Sequence, residues 1–339
     1  MIVLPHVPKR RSFLTVIPSA ARDLLFALVL FGGPLQAQTT ALRTGDHDVV
    51  LNGVRLWYRV AGTARAGTPP VLFLHGGPGY NSYSFAALEG PLLEKSLRMI
   101  YLDQRGSGRS ERPYDRDYKM QTLVADIEAL RKSLGVAKLA IIGHSFGGTL
   151  ALEYASAHPD RVAKLVLVDI LWDAPLQCRY RRRALEALRP EAYARVAKDT
   201  VDSAGTRRSD CELEFRGLQG AEREAFSNEM MFPDSARRLV QDSVDKASGL
   251  RNTGELSNTL FNAGLLNYQF TGFDKLTMPV LVVVGGKDRA VGGPPQEVLT
   301  ARLKHAKMLE LPNGGHFPYL EEPQEFARGV IGFLTGKAP

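Results

Sequence analysis

The 339-residue chain has only two cysteines, Cys178 and Cys211, and neither stands in a CxxC or histidine-bearing spacing of the kind that ligates zinc. No metal site is therefore expected. Long apolar runs are missing too. The run Leu24–Phe31 falls well short of the roughly 20 residues a membrane-spanning helix needs, and no later segment reaches that length. Charge of one sign is in mild excess only, 43 basic against 36 acidic residues, and no wide basic stripe or recognition module argues for nucleic acid. The basic cluster Arg179, Arg181, Arg182 and Arg183 reads as a solvated helix face. Internal repeats and low-complexity tracts are absent. What remains, 44% apolar and 23% charged residues, is the balance of a folded globular chain.

The first 37 residues stand apart. Lys9, Arg10, Arg11 and Arg22 precede the short apolar run, and Leu35-Gln36-Ala37 ends in a small residue suited to signal peptidase. Residues 1–37 read as a secretory signal, with export to the periplasm or exterior expected and no stable membrane insertion after its removal. A non-cleaved anchor, or a start codon set too far upstream, is the other reading of the same stretch. Cleavage would remove four basic residues and one acid, taking the formal charge from +7 to +4. In an exported chain the two cysteines permit one disulfide; two unpaired buried thiols are the alternative.

Val49 to Val60, with Gly53 at a turn, reads as an antiparallel hairpin. Short apolar runs follow at Val71–Leu74, Met99–Leu102, Leu139–Ile142, Leu165–Val168, Val280–Val284 and Lys307–Leu311. Between them lie helical patterns such as Thr122–Leu134, with Leu123, Ile127, Leu130 and Leu134 at spacings of three and four. That alternation predicts a mostly parallel central sheet flanked by helices. The gap after Val168 breaks the rhythm: residues 172–255 are rich in Arg, Glu, Ala and Leu without a strand run, and read as a helical cap inserted after the sixth strand. The core is then 38–171 and 256–339.

The stretch Leu139–Ala155 carries the chemistry. Gly143-His144-Ser145-Phe146-Gly147 sits where a strand runs into a helix, the setting of a nucleophile elbow: a tight, strained turn that lifts a serine hydroxyl above the sheet edge. Serine is a weak nucleophile until a base takes its proton and a third group orients that base. Asp288 follows the buried strand Val280–Val284 on its carboxyl-end loop, and His316 lies in the loop Pro312–Phe317 after the last strand. Ser145, Asp288 and His316 thus stand in the required order, with Asp169, at the end of its own strand, as the rival acid. His144 beside the serine reads as a packing residue. The turn His75-Gly76-Gly77-Pro78-Gly79 after the strand Val71–Leu74 fits the loop that donates one oxyanion N–H, from Gly77, the second coming from Phe146.

Over residues 42–337 the chain resembles the α/β-hydrolase superfamily. HGGPG at 75–79 combined with DQRGSGRS at 103–110 resembles the proline iminopeptidase (prolyl aminopeptidase) family within it. The resemblance implies a serine hydrolase that releases an amino-terminal residue, often proline, from short peptides, with a helical cap over the site and no cofactor. Asp103 and Arg105 are expected to shape the loop beside the oxyanion turn. Two departures matter. The family's elbow typically reads G-G-S-W-G, whereas His144 and Phe146 fill those positions here, as in many esterases. The family also binds the substrate amine through cap glutamates, one usually in a Trp-Glu pair, but Trp172 is followed by Asp173. Glu212, Glu214 and Glu229 are the cap acids available, and no residue pattern selects a substrate-binding side chain among them. A carboxylic ester or lactone hydrolase on the same triad is the alternative, with Arg179–Arg183 near an anionic acyl group.

Overall fold

The computed structural model describes residues 42–336, apart from 64–65, 199–200, 202, 204–207 and 219. The signal expected over 1–37 lies outside the described residues. Two strands open the fold, β1 (Gly45–Leu51) and β2 (Val54–Gly62). They pair antiparallel from Leu51↔Val54 outward, and the two-residue connection Asn52-Gly53 has φ of 48° and 80°. Asparagine and glycine tolerate those positive angles, which match the twist of a tight hairpin.

The remaining strands are β3 (Val71–Leu74), β4 (Arg98–Asp103), β5 (Leu139–His144), β6 (Val162–Val168), β7 (Val280–Gly285) and β8 (Ala306–Leu311). Their spatial order is β1-β2-β4-β3-β5-β6-β7-β8, with β1–β2 and β2–β4 antiparallel and every other pair parallel. The chain passes from β3 outward to β4 and then back across to β5. At such a reversal the loops leaving two neighbouring strands diverge, and a crevice opens at their carboxyl ends. Both glycine motifs, 75–79 after β3 and 143–148 at the end of β5, lie at that crevice.

Among the described residues, thirteen helices are labelled in chain order. Four precede β6: α1 (Tyr83–Leu88), α2 (Gly90–Leu93), α3 (Met120–Ser133) and α4 (Phe146–Ala157). Between β6 and β7 come α5 (Ala174–Leu188), α6 (Pro190–Val196), α7 (Asp210–Gly217), α8 (Gly220–Met231), α9 (Ser235–Ser248) and α10 (Glu255–Asn262). The last are α11 (Gly293–Arg302), α12 (Pro318–Glu321) and α13 (Pro323–Thr335). Strands β3, β5 and β7 are buried along their whole length, which is why they read as unbroken apolar runs. Leu123, Ile127 and Leu130 of α3 bury against one face of the sheet with Leu150 and Leu152 of α4; Phe85, Phe326 and Val330 cover the other face. Each such side chain contributes about 1.5–3 kcal/mol on leaving water. The two edge strands differ: β1 exposes Asp46 and Asp48, and β8 exposes Lys307 and Glu310.

The segment between β6 and β7 contains no sheet strand among the described residues. Its own core is small, Leu185, Ala192, Leu218, Phe226 and Met230 packed with Ala290 from the loop after β7. Cys178 of α5 and Cys211 of α7 are paired in a disulfide, with Cα atoms 5.0 Å apart. No described helix is long and apolar enough to cross a membrane.

One buried group works against the fold. Glu89, between α1 and α2, is fully buried, and neither carboxyl oxygen has a hydrogen-bond partner among the described residues. Burial pushes its pKa from 4.5 up to about 9, so the fold carries it protonated at neutral pH. Because the folded pKa lies above the unfolded one, ionisation of Glu89 adds no cost below about pH 4.5 and destabilises the fold progressively as pH rises toward about 9. Glu89→Gln is expected to match the parent at the acid end. Its stability gap should then widen with pH at up to about 1.4 kcal/mol per unit, read from urea unfolding across a pH series.

Candidate active site

Ser145 closes β5 and precedes the first turn of α4, with φ 53° and ψ −123°, a left-handed conformation strained for a residue with a side chain. Its N–H donates to the Val168 carbonyl of β6 at 3.0 Å, which pins the turn to the sheet. The glycines around it are there for close approach. A Cβ at Gly147 would run into the Leu74 carbonyl of β3, and one at Gly143 would sit 2.6 Å from the Gly147 carbonyl. Across the crevice, a Cβ at Gly76 would lie 2.9 Å from Ser145 Cβ, so the turn after β3 faces the serine directly. Gly77 has φ 118°, and Phe146 begins α4, where helix N–H groups have no partner inside the helix.

Asp288 and His316 meet as the sequence order requires. The His316 Nδ1–H donates to Asp288 Oδ2 at 3.0 Å, with both side chains buried, which leaves Nε2 to handle a proton. The other oxygen, Asp288 Oδ1, accepts the Ala290 N–H at 2.6 Å, so the carboxylate is held in its loop. The main chain of His316 is held on both sides: its N–H donates to the Met231 carbonyl at 2.8 Å, and its carbonyl accepts from His144 Nε2–H at 2.7 Å. His144 is fully enclosed, and burial drives its pKa well below the ordinary histidine value, so it acts as a neutral strut. It packs against the rings of His316, Phe317 and Tyr319, and adds a hydrogen bond between the elbow and the histidine loop.

The rival acid, Asp169, is otherwise engaged. It follows β6 directly with φ 42°, and its carboxyl accepts the Gly285 N–H at 3.1 and 3.2 Å. Burial, and then the negative charge of Asp288, hold its pKa well above the carboxylate range. Two further carboxylates, missed in the sequence, grip the histidine loop from behind. Glu322 Oε2 accepts the N–H groups of Asn313 (2.7 Å) and Gly314 (2.9 Å), and Glu321 Oε2 accepts that of Gly315. Burial, with Asp288 adding, pushes the Glu321 pKa to about 7. Their signal was their placement five and six residues past His316, where the chain folds back.

The two glycine-bearing motifs near the oxyanion turn are clasped together. The Gln104 backbone N–H donates to His75 Nε2 at 3.2 Å and its side-chain amide donates to the His75 carbonyl at 2.9 Å. Asp103 accepts from the Ser82 N–H (2.8 Å) and hydroxyl (2.7 Å) and from Arg109 Nε (2.7 Å), shaping that region as expected. The Arg105 guanidinium makes a buried two-point ion pair with Asp126 of α3, at 2.6 and 2.8 Å, fastening the loop to the helix layer.

The cap acids singled out above are occupied elsewhere. Glu212 accepts the Ser209 N–H at 2.7 Å, Glu229 pairs with Arg189 at 2.6 Å, and the side chain of Glu214 lies outside the described residues. Asp173 caps α5 through the Leu176 N–H at 2.9 Å. The basic cluster is engaged as well: Arg182 pairs with Asp210 at 2.7 Å, and Arg181 donates to the Ala290 carbonyl at 3.2 Å. The cap carboxylate that reaches the oxyanion side is Asp245 of α9. Its Oδ1 accepts from the Ser84 hydroxyl at 2.6 Å and from the Tyr80 hydroxyl, one residue past Gly79. Gln241 donates its amide to the same Tyr80 oxygen at 2.6 Å.

The sequence pattern of the alpha/beta hydrolase fold matches residues 69–323. A proline iminopeptidase of Heyndrickxia coagulans is 28% identical over 281 residues, spanning 79% of this chain and 91% of that protein. A proline iminopeptidase-related protein of Thermus thermophilus superposes with a TM-score of 0.70 at 26% identity, covering 86% of this chain and 98% of its own. An esterase of Exiguobacterium antarcticum superposes at 0.61 and 21% identity, covering 86% and 100%, a likeness of fold alone. The chain belongs to the α/β-hydrolase family. Within that family it is proline iminopeptidase-like, and it is a hydrolase, serine-type by family.

The two buried aspartates are expected to separate on substitution. Asp288→Asn should lower kcat/KM for a nitrophenyl ester by about 10³–10⁴-fold, because the orienting carboxylate on Nδ1 is lost. Asp169→Asn retains an acceptor for Gly285 N–H and should change the rate little. Steady-state kinetics of the pair checks this, and the reverse order would give the acid's role to Asp169.

Proposed function

We propose that the protein is an exported serine aminopeptidase that releases amino-terminal proline or small residues from short peptides. The observation that carries this reading is the Asp288–His316 pair at the same sheet end as the strained Ser145, in a chain similar over most of its length to a proline iminopeptidase. In the proposed cycle Ser145 Oγ attacks the scissile carbonyl and His316 Nε2 takes its proton. Asp288 holds Nδ1–H and stabilises the imidazolium. The N–H groups of Gly77 and Phe146 receive the oxyanion, His316 returns its proton to the leaving amine, and water then clears the acyl-enzyme.

An aminopeptidase also needs a carboxylate for the substrate ammonium, since a cation leaving water needs a partner. Asp245 supports that role, because it is a cap acid bonded to the residue that follows the oxyanion turn. The competing reading, an ester or lactone hydrolase, is favoured by the same residue's engagement: Asp245 Oδ1 already accepts from Tyr80, Ser84 and Gln241.

Turnover of proline and alanine arylamides, an amino-blocked proline arylamide and a short-chain nitrophenyl ester separates the two. The aminopeptidase reading expects fast cleavage of free-amine arylamides that is lost on blocking. It also expects Asp245→Asn to raise their KM at least about tenfold with ester turnover retained. Ester turnover without amide cleavage selects the other reading. For either, Ser145→Ala is expected to leave less than about a thousandth of the parent rate. Export is supported by the basic and apolar pattern of residues 1–37 together with the paired cysteines. Mass spectrometry of secreted protein is expected to find Gln38 at the amino terminus; an intact leader on cytosolic protein would refute it.

A further inference from the structure

The cap is bonded to the acid–base pair itself. Helix α8 ends at Met231, and carbonyls in the last turn of a helix have no partner within it. Here two of them are taken by the loops that carry the pair. The Met230 carbonyl accepts the N–H of Arg289, the residue after Asp288, at 3.0 Å, and the Met231 carbonyl accepts the N–H of His316 at 2.8 Å. The next residue, Phe232, stacks on Phe317 with ring centres 4.9 Å apart and planes 14° from parallel. Gly315 makes the seat: a Cβ there would run into both the Met231 carbonyl and the ring of Pro233. On the opposite side, the His316 carbonyl is held by His144 from the elbow. The main chain of His316 therefore bridges cap and nucleophile turn, with one hydrogen bond to each.

We propose that the segment Met230–Pro233 is a positioning element for the acid–base pair, so that the cap must be seated for His316 to align with Ser145. The inference rests on the triad reading given above. It assigns the end of α8 a part in the chemical step, beyond covering the substrate. A displacement of this segment would remove the His316 N–H acceptor and the support of Phe317 together. A shift of about 1 Å in a reacting group costs on the order of 10²-fold in rate.

The test uses two variants of the full protein, Phe232→Ala and Gly315→Ala, with Phe232→Tyr as the conservative control that keeps a stacking ring. Substrates are a proline arylamide and a small nitrophenyl ester, whose size makes its binding insensitive to the cap. The expected result is a fall in kcat of about 10- to 100-fold on both substrates, with KM for the ester within about twofold and kcat restored in Phe232→Tyr. The rate of covalent labelling by a fluorophosphonate should fall in parallel. Unchanged kcat and labelling on the ester, with only the arylamide KM raised, would overturn the proposal and leave the cap a binding surface. Should Gly315→Ala fail to fold, Phe232→Ala alone decides. Ser145→Ala runs beside them: if it stays active the triad reading fails, and if it is inactive while Phe232→Ala keeps full kcat only the present proposal fails.

Discussion

Everything at the site follows from one steric constraint, the closeness with which the start of α4 is pressed onto the sheet. There is no room for a side chain between Gly147 and the Leu74 carbonyl, nor between Gly148 and Ile170. A helix set that near must leave its strand through a turn too sharp for ordinary backbone angles, and Ser145 absorbs the strain at φ 53°. The same proximity brings the turn after β3 against the serine. The strained serine and the glycine turn that faces it are thus consequences of one packing decision, taken where the strand order reverses.

Around that point the fold solves a charge problem. Asp169, Asp288 and Glu321 lie close enough for their charges to interact. Of the three, Asp288 is the one that bonds to the histidine ring. Asp169 and Glu321 have raised pKa values and, among the described residues, bond backbone N–H groups alone, so each serves as an anchor for a loop, Gly285 in one case and Gly315 in the other.

Much of this was legible in the residues. The strands appeared as apolar runs because most are buried on both faces, and Ser145, Asp288 and His316 could be ordered because each lies on the connection that follows a strand. Parallel topology brings those ends together whatever their separation in sequence. The rest was hidden for two physical reasons. Contacts made by backbone groups, such as the Met231 carbonyl with the His316 N–H, leave no mark on residue type. Contacts across long separations, such as Tyr80 with Asp245, carry no spacing. Glu212 and Glu229 looked available because a sequence shows charge but not partners, and each proved to be spent on a neighbour. Arg105 looked like a loop residue for the same reason; its partner, Asp126, sits on a helix face that the apolar pattern alone marks as buried. The cysteines were undecided until α5 and α7 were seen side by side.

That cystine has a thermodynamic meaning of its own. The cap core holds few large apolar side chains, far fewer than either face of the sheet, and so little area to offset the chain entropy of ordering its helices. The bond between Cys178 and Cys211, 33 residues apart, lowers the entropy of the unfolded chain instead, by an amount equivalent to roughly 3–4 kcal/mol in the loop-closure account. The sheet is stable because of what it buries. The cap is stable partly because of what its unfolded form is forbidden to do, and its integrity is therefore tied to the redox state of its surroundings.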